Sequence, residues 1–302
     1  MTFADTWRRR IKGGIKALLY ACACGRERAG VSVLAYHSVD TTGSPLSIAP
    51  AEFRDHLALL RQKGWRGLSL AEFVARLNDV PGNRKEVFLT FDDGYENFYT
   101  QAAPLLAEFG FPATVFLVTD YVGKEPLWFL RDQTAIARFL GSFAYSDAET
   151  AQLVDLMREA SKTPLMNWSQ ARELVRYGID VQSHSAAHHF LTTLPVPELE
   201  ADLRRSRTVL EDRLGVSLDL LCYPYGDCDP RVIAVTREIG FHGGLLADYY
   251  GPWSDPFRIG RVLLNGTMRP SDVRFALSPA VDYLAALRQR LSTLRSQALY
   301  GD

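Results

Sequence analysis

The chain has no long apolar run, no excess of either charge and little cysteine, and each lack closes off a class of function. Its 302 residues carry 34 basic and 35 acidic side chains, a formal net charge of -1 at pH 7. No overall field is available to grip a nucleic acid backbone, so nucleic acid is not an expected partner. The four cysteines are Cys22, Cys24, Cys222 and Cys228. They are too few and too irregularly spaced for a disulfide framework, and no C-x-x-C pair is present to hold structural zinc. No G-x-G-x-x-G or Walker loop marks a nucleotide site, and no internal repeat or low-complexity linker divides the chain. What remains is the composition of an ordinary globular protein, 47% hydrophobic and 23% charged, with room for one large domain or two small ones.

The charge is unevenly placed. Residues 1–30 hold seven basic side chains (Arg8, Arg9, Arg10, Lys12, Lys16, Arg26, Arg28) against Asp5 and Glu27, a local +5 that leaves -6 for the rest. Lys16 interrupts the apolar core that a secretory signal needs, and the charge-free stretch from 17 to 25 is far too short to span a bilayer. A cytoplasmic location is expected. Trp7, Ile11, Ile15, Leu18 and Leu19 recur at helical spacing among the basic residues, which suits peripheral attachment to an anionic inner membrane face through residues 1–30.

Beyond residue 30, apolar runs rich in β-branched and aromatic residues occur at 31–36, 87–91, 113–118, 179–183, 218–223, 241–247 and 258–264. Between them lie segments of helical period at 51–63, 97–109, 168–177, 197–214 and 229–239, several followed by glycine as helix ends commonly are. Strand alternating with helix predicts a parallel α/β architecture, and seven units fit an incomplete barrel better than an open sheet. One domain is therefore expected over 31–302. It is interrupted by a helical insertion at 124–165, with helices at 128–140 and 148–160, and ends in an amphipathic helix at 280–299.

Three strand ends carry chemistry. The run Phe88-Leu89-Thr90-Phe91-Asp92-Asp93-Gly94-Tyr95 leads an apolar strand into two adjacent carboxylates. Neighbouring carboxylates at a strand end point in different directions, so one can face a metal ion while the other acts as a base. The segment Ser183-His184-Ser185-Ala186-Ala187-His188-His189 sets two imidazoles four residues apart, and a helical turn after His184 would return His188 to the same face. Four of the six histidines (His37, His184, His188, His189) follow strand ends, where a barrel gathers its active site. The third, Cys222-Tyr223-Pro224-Tyr225-Gly226, breaks a strand into a rigid turn whose amide could serve an oxyanion and whose rings could face a sugar.

With these three motifs in this order, the chain from 31 to about 270 resembles the polysaccharide deacetylase family, carbohydrate esterase family four. The resemblance implies a deformed seven-stranded (β/α) barrel with one divalent metal ion, zinc first and cobalt, nickel or manganese as alternatives. It also implies removal of N-acetyl groups from N-acetylhexosamine units of a polysaccharide or its precursor. By motif position Asp93, His184 and His188 would be metal ligands, Asp92 the general base and the Tyr225 amide the oxyanion donor. Two features depart from the pattern. Cys222 stands where many relatives have an arginine that supports the base, and Arg261 is the candidate replacement. The late leucine-x-histidine of the general acid is missing, because Asn265 ends Leu263-Leu264-Asn265 and no histidine follows His242; His37 is the candidate substitute. An O-acetyl esterase, a small-amide hydrolase and a glycan-binding pseudoenzyme are the competing readings.

Overall fold

A computed structural model of the chain describes residues 30–44, 46–78, 84–142, 151–152, 154–155, 162–248, 253–264, 270–283 and 285–286. The basic segment before residue 30, most of the inserted helix expected at 148–160, Asn265 and most of the helix expected at 280–299 lie outside the described residues.

In chain order the strands are β1 Gly30–Tyr36, β2 Ser38–Val39, β3 Ser47–Ile48, β4 Arg66–Gly67, β5 Lys85–Phe91, β6 Thr114–Leu117, β7 Asp180–Ser183, β8 Leu220–Cys222, β9 Gly243–Leu245 and β10 Val262–Leu263. The helices are α1 Pro50–Gln62, α2 Leu70–Ala75, α3 Ala103–Phe109, α4 Trp128–Arg131, α5 Gln133–Ser142, α6 Trp168–Arg176, α7 Val196–Leu214, α8 Pro230–Ile239 and α9 Pro270–Ala276. One sheet runs β10-β1-β5-β6-β7-β8-β9, with β4 added beside β5, and every pairing in it is parallel. The sheet curls back on itself. Ile259 bridges to Leu245 of β9, while Leu34 and Ala35 of β1 pair with Val262 and Leu263. The result is a deformed (β/α) barrel whose seven main strands fall on the seven apolar runs of the sequence.

Strand periodicity sorts the side chains. Val31, Val33, Phe88, Phe116, Leu220, Cys222, Leu245 and Ile259 form one buried cluster inside the barrel. Residues of opposite parity, such as Leu34, Val87, Leu89, Val115, Leu117 and Leu221, pack in a second cluster with helix residues such as Phe53, Leu57 and Leu203. Side chains two apart share a face. The inward column of Phe88 therefore continues to Thr90 and Asp92, that of Gln182 to His184, that of Leu220 to Cys222, and that of Ile259 to Arg261. The barrel interior thus ends at its C-terminal mouth in a ring of polar groups.

Several features differ from the sequence expectation. Helix α2 was not anticipated; Ser69 caps it by accepting from Glu72 N. Its Leu70 and Phe73, with Leu77 beyond it, join the interior cluster, and Phe73 stacks on Phe88 with centroids 4.0 Å apart and planes 3° from parallel. The helix expected at 97–109 begins as a wider π-type turn, Phe98–Ala102, because Pro104 supplies no N–H for a regular α turn. The inserted helix expected at 128–140 breaks at Asp132 into α4 and α5. Among the described residues no helix is long and apolar enough to cross a membrane.

Candidate active site

Asp92 and Asp93 follow β5 directly. At Asp93 the backbone turns into the left-handed region with φ 68°, which swings its carboxylate away from the inward column that Asp92 continues. Gly94 follows at φ 77°, and a Cβ there would lie 2.4 Å from Leu117 Cδ2, so the turn requires glycine. Among the described residues the non-glycine positions with positive φ are Asp93, Ser185, His188 and Tyr225. All four belong to the predicted motifs, so the left-handed non-glycine backbone of the described residues is concentrated at this mouth.

The two imidazoles do not converge through a helix, contrary to the sequence expectation. Residues 184–190 form an irregular loop in which Ser185 and His188 adopt left-handed φ of 64° and 54°, and the Ser185 hydroxyl accepts from His188 N at 3.0 Å. His184 Nε2 and His188 Nε2 arrive 3.5 and 3.4 Å from Asp93 Oδ1. All three side chains are buried. Asp93 Oδ1 has no hydrogen-bond partner among the described residues, a costly state for a buried carboxylate oxygen. A tetrahedral ion with ligand bonds of about 2.0–2.2 Å sets its ligand atoms about 3.4 Å apart, so the spacing fits a cation better than direct hydrogen bonds.

Orientation supports the same assignment. His184 Nδ1 lies 2.8 Å from the Cys222 carbonyl. A carbonyl only accepts, so Nδ1 carries the proton and the Nε2 lone pair is directed to Asp93 and His188. Burial opposes charge on His184, but the carboxylates of Asp93 and Asp92 outweigh it and its pKa lies well above the usual value, so a cation would take the Nε2 lone pair by displacing a proton. His188 moves the other way, to about 4, chiefly through burial. Burial would raise Asp93, yet His184 and His188 hold it well below the carboxylate range. An anionic centre flanked by two nitrogens is what a divalent ion requires.

Asp92 has a different environment. Arg261, 1% exposed, donates from Nη1 to Oδ1 at 2.7 Å and from Nη2 to Oδ2 at 2.6 Å. The guanidinium is fixed further by Nε to the Leu246 carbonyl, Nη1 to the Thr90 hydroxyl and Nη2 to Cys222 Sγ. Burial would raise the Asp92 carboxyl, but the Arg261 charge and its hydrogen bonds bring it down to about 2. Arg261 is therefore not a solvent-facing strand charge. It reaches Asp92 across the barrel, beside Cys222. Asp92, His184 and Cys222 form a second cluster of ligand type, but both Asp92 oxygens are occupied by Arg261, His184 Nδ1 by a carbonyl, and burial raises the Cys222 thiol so that it keeps its proton.

The remaining predicted residues surround this centre. His37 follows β1, with Nε2 3.9 Å from Asp92 Oδ2. Tyr225 packs edge-on to His188 at 4.6 Å and stacks on Phe190 at 4.0 Å. His189 lies outside the group of Asp93, His184 and His188. Two contributors were missed by the sequence reasoning. The inserted helix α4 belongs to the site: Trp128 stacks on His188 at 4.6 Å, and just beyond the helix Asp132 accepts from the Tyr225 hydroxyl at 3.3 Å. Asp202 of α7 accepts from Ala186 N and Ala187 N. Its signal was available, since Asp202 sits on the apolar stripe of Leu199, Leu203, Ser206 and Leu210, where a carboxylate needs a buried partner.

A sequence profile of the family described as Polysaccharide deacetylase matches residues 79–244. A Bacillus subtilis protein named as a polysaccharide deacetylase, YxkH, is 23% identical over 221 residues, 73% of this chain and 65% of that one. Poly-beta-1,6-N-acetyl-D-glucosamine N-deacetylase of Escherichia coli K12 is 27% identical over 244 residues, 70% of this chain and 33% of that one. The chain thus spans less than two thirds of the length of these relatives. The Streptococcus pyogenes deacetylase PplD, solved in complex with acetate, superposes with a TM-score of 0.65 at 19% identity, covering 83% of this chain and 99% of that one. IcaB from Ammonifex degensii gives 0.63 at 24% identity, covering 83% and 98%. These structures share the fold described above.

Proposed function

Because the chain belongs to the polysaccharide deacetylase family, we propose that it hydrolyses the N-acetyl group of N-acetylhexosamine units in a polysaccharide or its precursor. The observation that carries this reading is the buried Asp93 Oδ1, without a hydrogen bond among the described residues and facing two imidazole nitrogens at 3.4 and 3.5 Å. Asp93, His184 and His188 would hold one divalent ion, with zinc favoured by a carboxylate and two imidazoles. When bound, such an ion supplies Lewis-acid polarisation of the acetamide carbonyl and makes water nucleophilic near neutral pH.

The chain's own residues divide the rest of the work. Asp92, kept ionised by Arg261, takes the proton of the attacking water, and the bidentate guanidinium fixes the direction in which its oxygens face. The Tyr225 backbone amide, in its left-handed turn, donates to the developing oxyanion. His37 returns a proton to the leaving amine; its position 3.9 Å from Asp92 gives the proton collected there a short path. Tyr225 and Phe190, both part-exposed, supply aromatic surface beside the centre for an acetyl methyl or sugar face. The +5 charge of residues 1–30 supports attachment to an anionic membrane face, tested by salt-sensitive liposome binding that disappears when residues 1–28 are removed.

The deciding experiment measures free-amine and acetate release from poly-β-1,6-N-acetylglucosamine oligomers and chitooligosaccharides, with bound metal quantified in the same preparation. The expected result is one divalent ion per chain, activity abolished by a chelator and restored by zinc. Full activity in metal-free protein overturns the reading.

A further inference from the structure

The loop that carries His184 and His188 has no regular secondary structure and contains two left-handed non-glycine residues, so its shape must be imposed from outside. Two charged side chains from distant parts of the chain grip it. Asp202 of α7, 4% exposed, accepts from Ala186 N at 2.9 Å through one oxygen and from Ala187 N at 3.1 Å through the other. Arg131 of the inserted helix α4 donates from Nη1 to the Ala187 carbonyl at 2.9 Å and from Nη2 to the His188 carbonyl at 3.0 Å. The loop's donors thus face an anion and its acceptors face a cation. Each grip is bidentate, which fixes direction as well as distance.

Resting on the metal reading above, we propose that Asp202 and Arg131 are positioning residues that hold His188, and through the shared loop His184, in cation-binding geometry. Neither side chain is among the groups proposed to hold the ion or act on substrate, so both act through the loop backbone. The cost of losing either follows from their chemistry. Asp202→Asn replaces one acceptor oxygen with an NH2 group that confronts a backbone N–H. Arg131→Met leaves two loop carbonyls without their donors and frees the peptide that orients His188. The arrangement also gives the insertion a purpose: α4 ties the loop through its carbonyls as α7 does through its amides, and its Trp128 covers the His188 ring.

The test titrates zinc and cobalt into metal-free protein against a competing chelator and records the cobalt absorption spectrum at saturation. Wild-type protein comes first, and failure to bind either ion overturns the metal reading itself before any variant is made. Asp202→Asn and Arg131→Met are each expected to bind about 10- to 100-fold more weakly, the usual range for groups that orient metal ligands, with an altered cobalt spectrum. Arg131→Lys, which restores a single donor, should recover part of the loss. Arg204→Met, on the same helix as Asp202 but in an exposed pair with Glu200, should bind as wild type does. A purely structural role would lower the melting temperature and leave the affinity and spectrum of the folded protein unchanged; that result in Arg131→Met overturns the proposal. Arg131 is one-third exposed, so this variant decides the matter even where Asp202→Asn fails to fold.

Discussion

Arg261→Met examines the charge pair on which the site is built. Both partners are buried, Arg261 at 1% and Asp92 at 3% exposure, and two hydrogen bonds of 2.6 and 2.7 Å join them. Taking away the guanidinium leaves a carboxylate in a place where burial opposes its charge, and breaking a buried pair from one side costs about 3–5 kcal/mol. That is a large part of the roughly 5–15 kcal/mol that holds a domain folded. An exposed pair would cost under about 1 kcal/mol, so the two cases are well separated. The assay is urea unfolding at pH 7 in the presence of chelator, run as a cycle over wild type, Arg261→Met, Asp92→Asn and the double variant. Because the double variant leaves no unpaired charge, it is expected to recover much of the loss, and the coupling should exceed about 1.5 kcal/mol. A single-variant cost below about 1 kcal/mol, or simple additivity, would falsify the claim that Arg261 is what makes a charged Asp92 tolerable inside the barrel.

The paired aspartates should separate cleanly: Asp93→Asn is expected to lose metal and activity together, whereas Asp92→Asn keeps the metal and loses on the order of 10²-fold in kcat, and equal metal loss in both would make both carboxylates ligands. His189→Ala should retain one ion per chain, as read by elemental analysis, while His188→Ala should not. Phe73→Ala removes the ring stacked on Phe88 in the barrel interior and is expected to cost about 3–5 kcal/mol in chemical denaturation; a cost under about 1 kcal/mol would mean that α2 does not fill the barrel. Burial holds His56 at about 4, below its ordinary 6.5, with Tyr36 Oη 3.2 Å from Nδ1. The unfolded chain therefore takes up the proton first, and this contribution to stability is complete above pH 6.5 and falls away as the pH drops toward 4. Between pH 7 and pH 5 wild type should lose roughly 2 kcal/mol more than His56→Gln, and parallel pH curves for the two proteins would contradict this.

The sequence alone determined the parts of the site that are local. An apolar run ending in Asp92-Asp93-Gly94 announces both a strand and the sharp turn that sends two carboxylates in different directions, because strand period and turn chemistry are properties of a few consecutive residues. Alternation of seven such runs with helical segments similarly fixed a parallel barrel, since each crossover must return the chain to the same sheet. Tertiary structure decided what depends on distance across the barrel. Arg261 reaches Asp92 from 169 positions away only because residues 259–263 close the ring between β9 and β1, and no local pattern distinguishes that arginine from a surface charge. His188 was legible as a candidate ligand and does lie beside Asp93, but the means of its arrival was not legible. Spacing suggested a helical turn, whereas the loop is bent through left-handed Ser185 and His188 and held by groups from α4 and α7. Such strain is stable only when surrounding elements over-determine it, and those elements are brought to the loop by the fold.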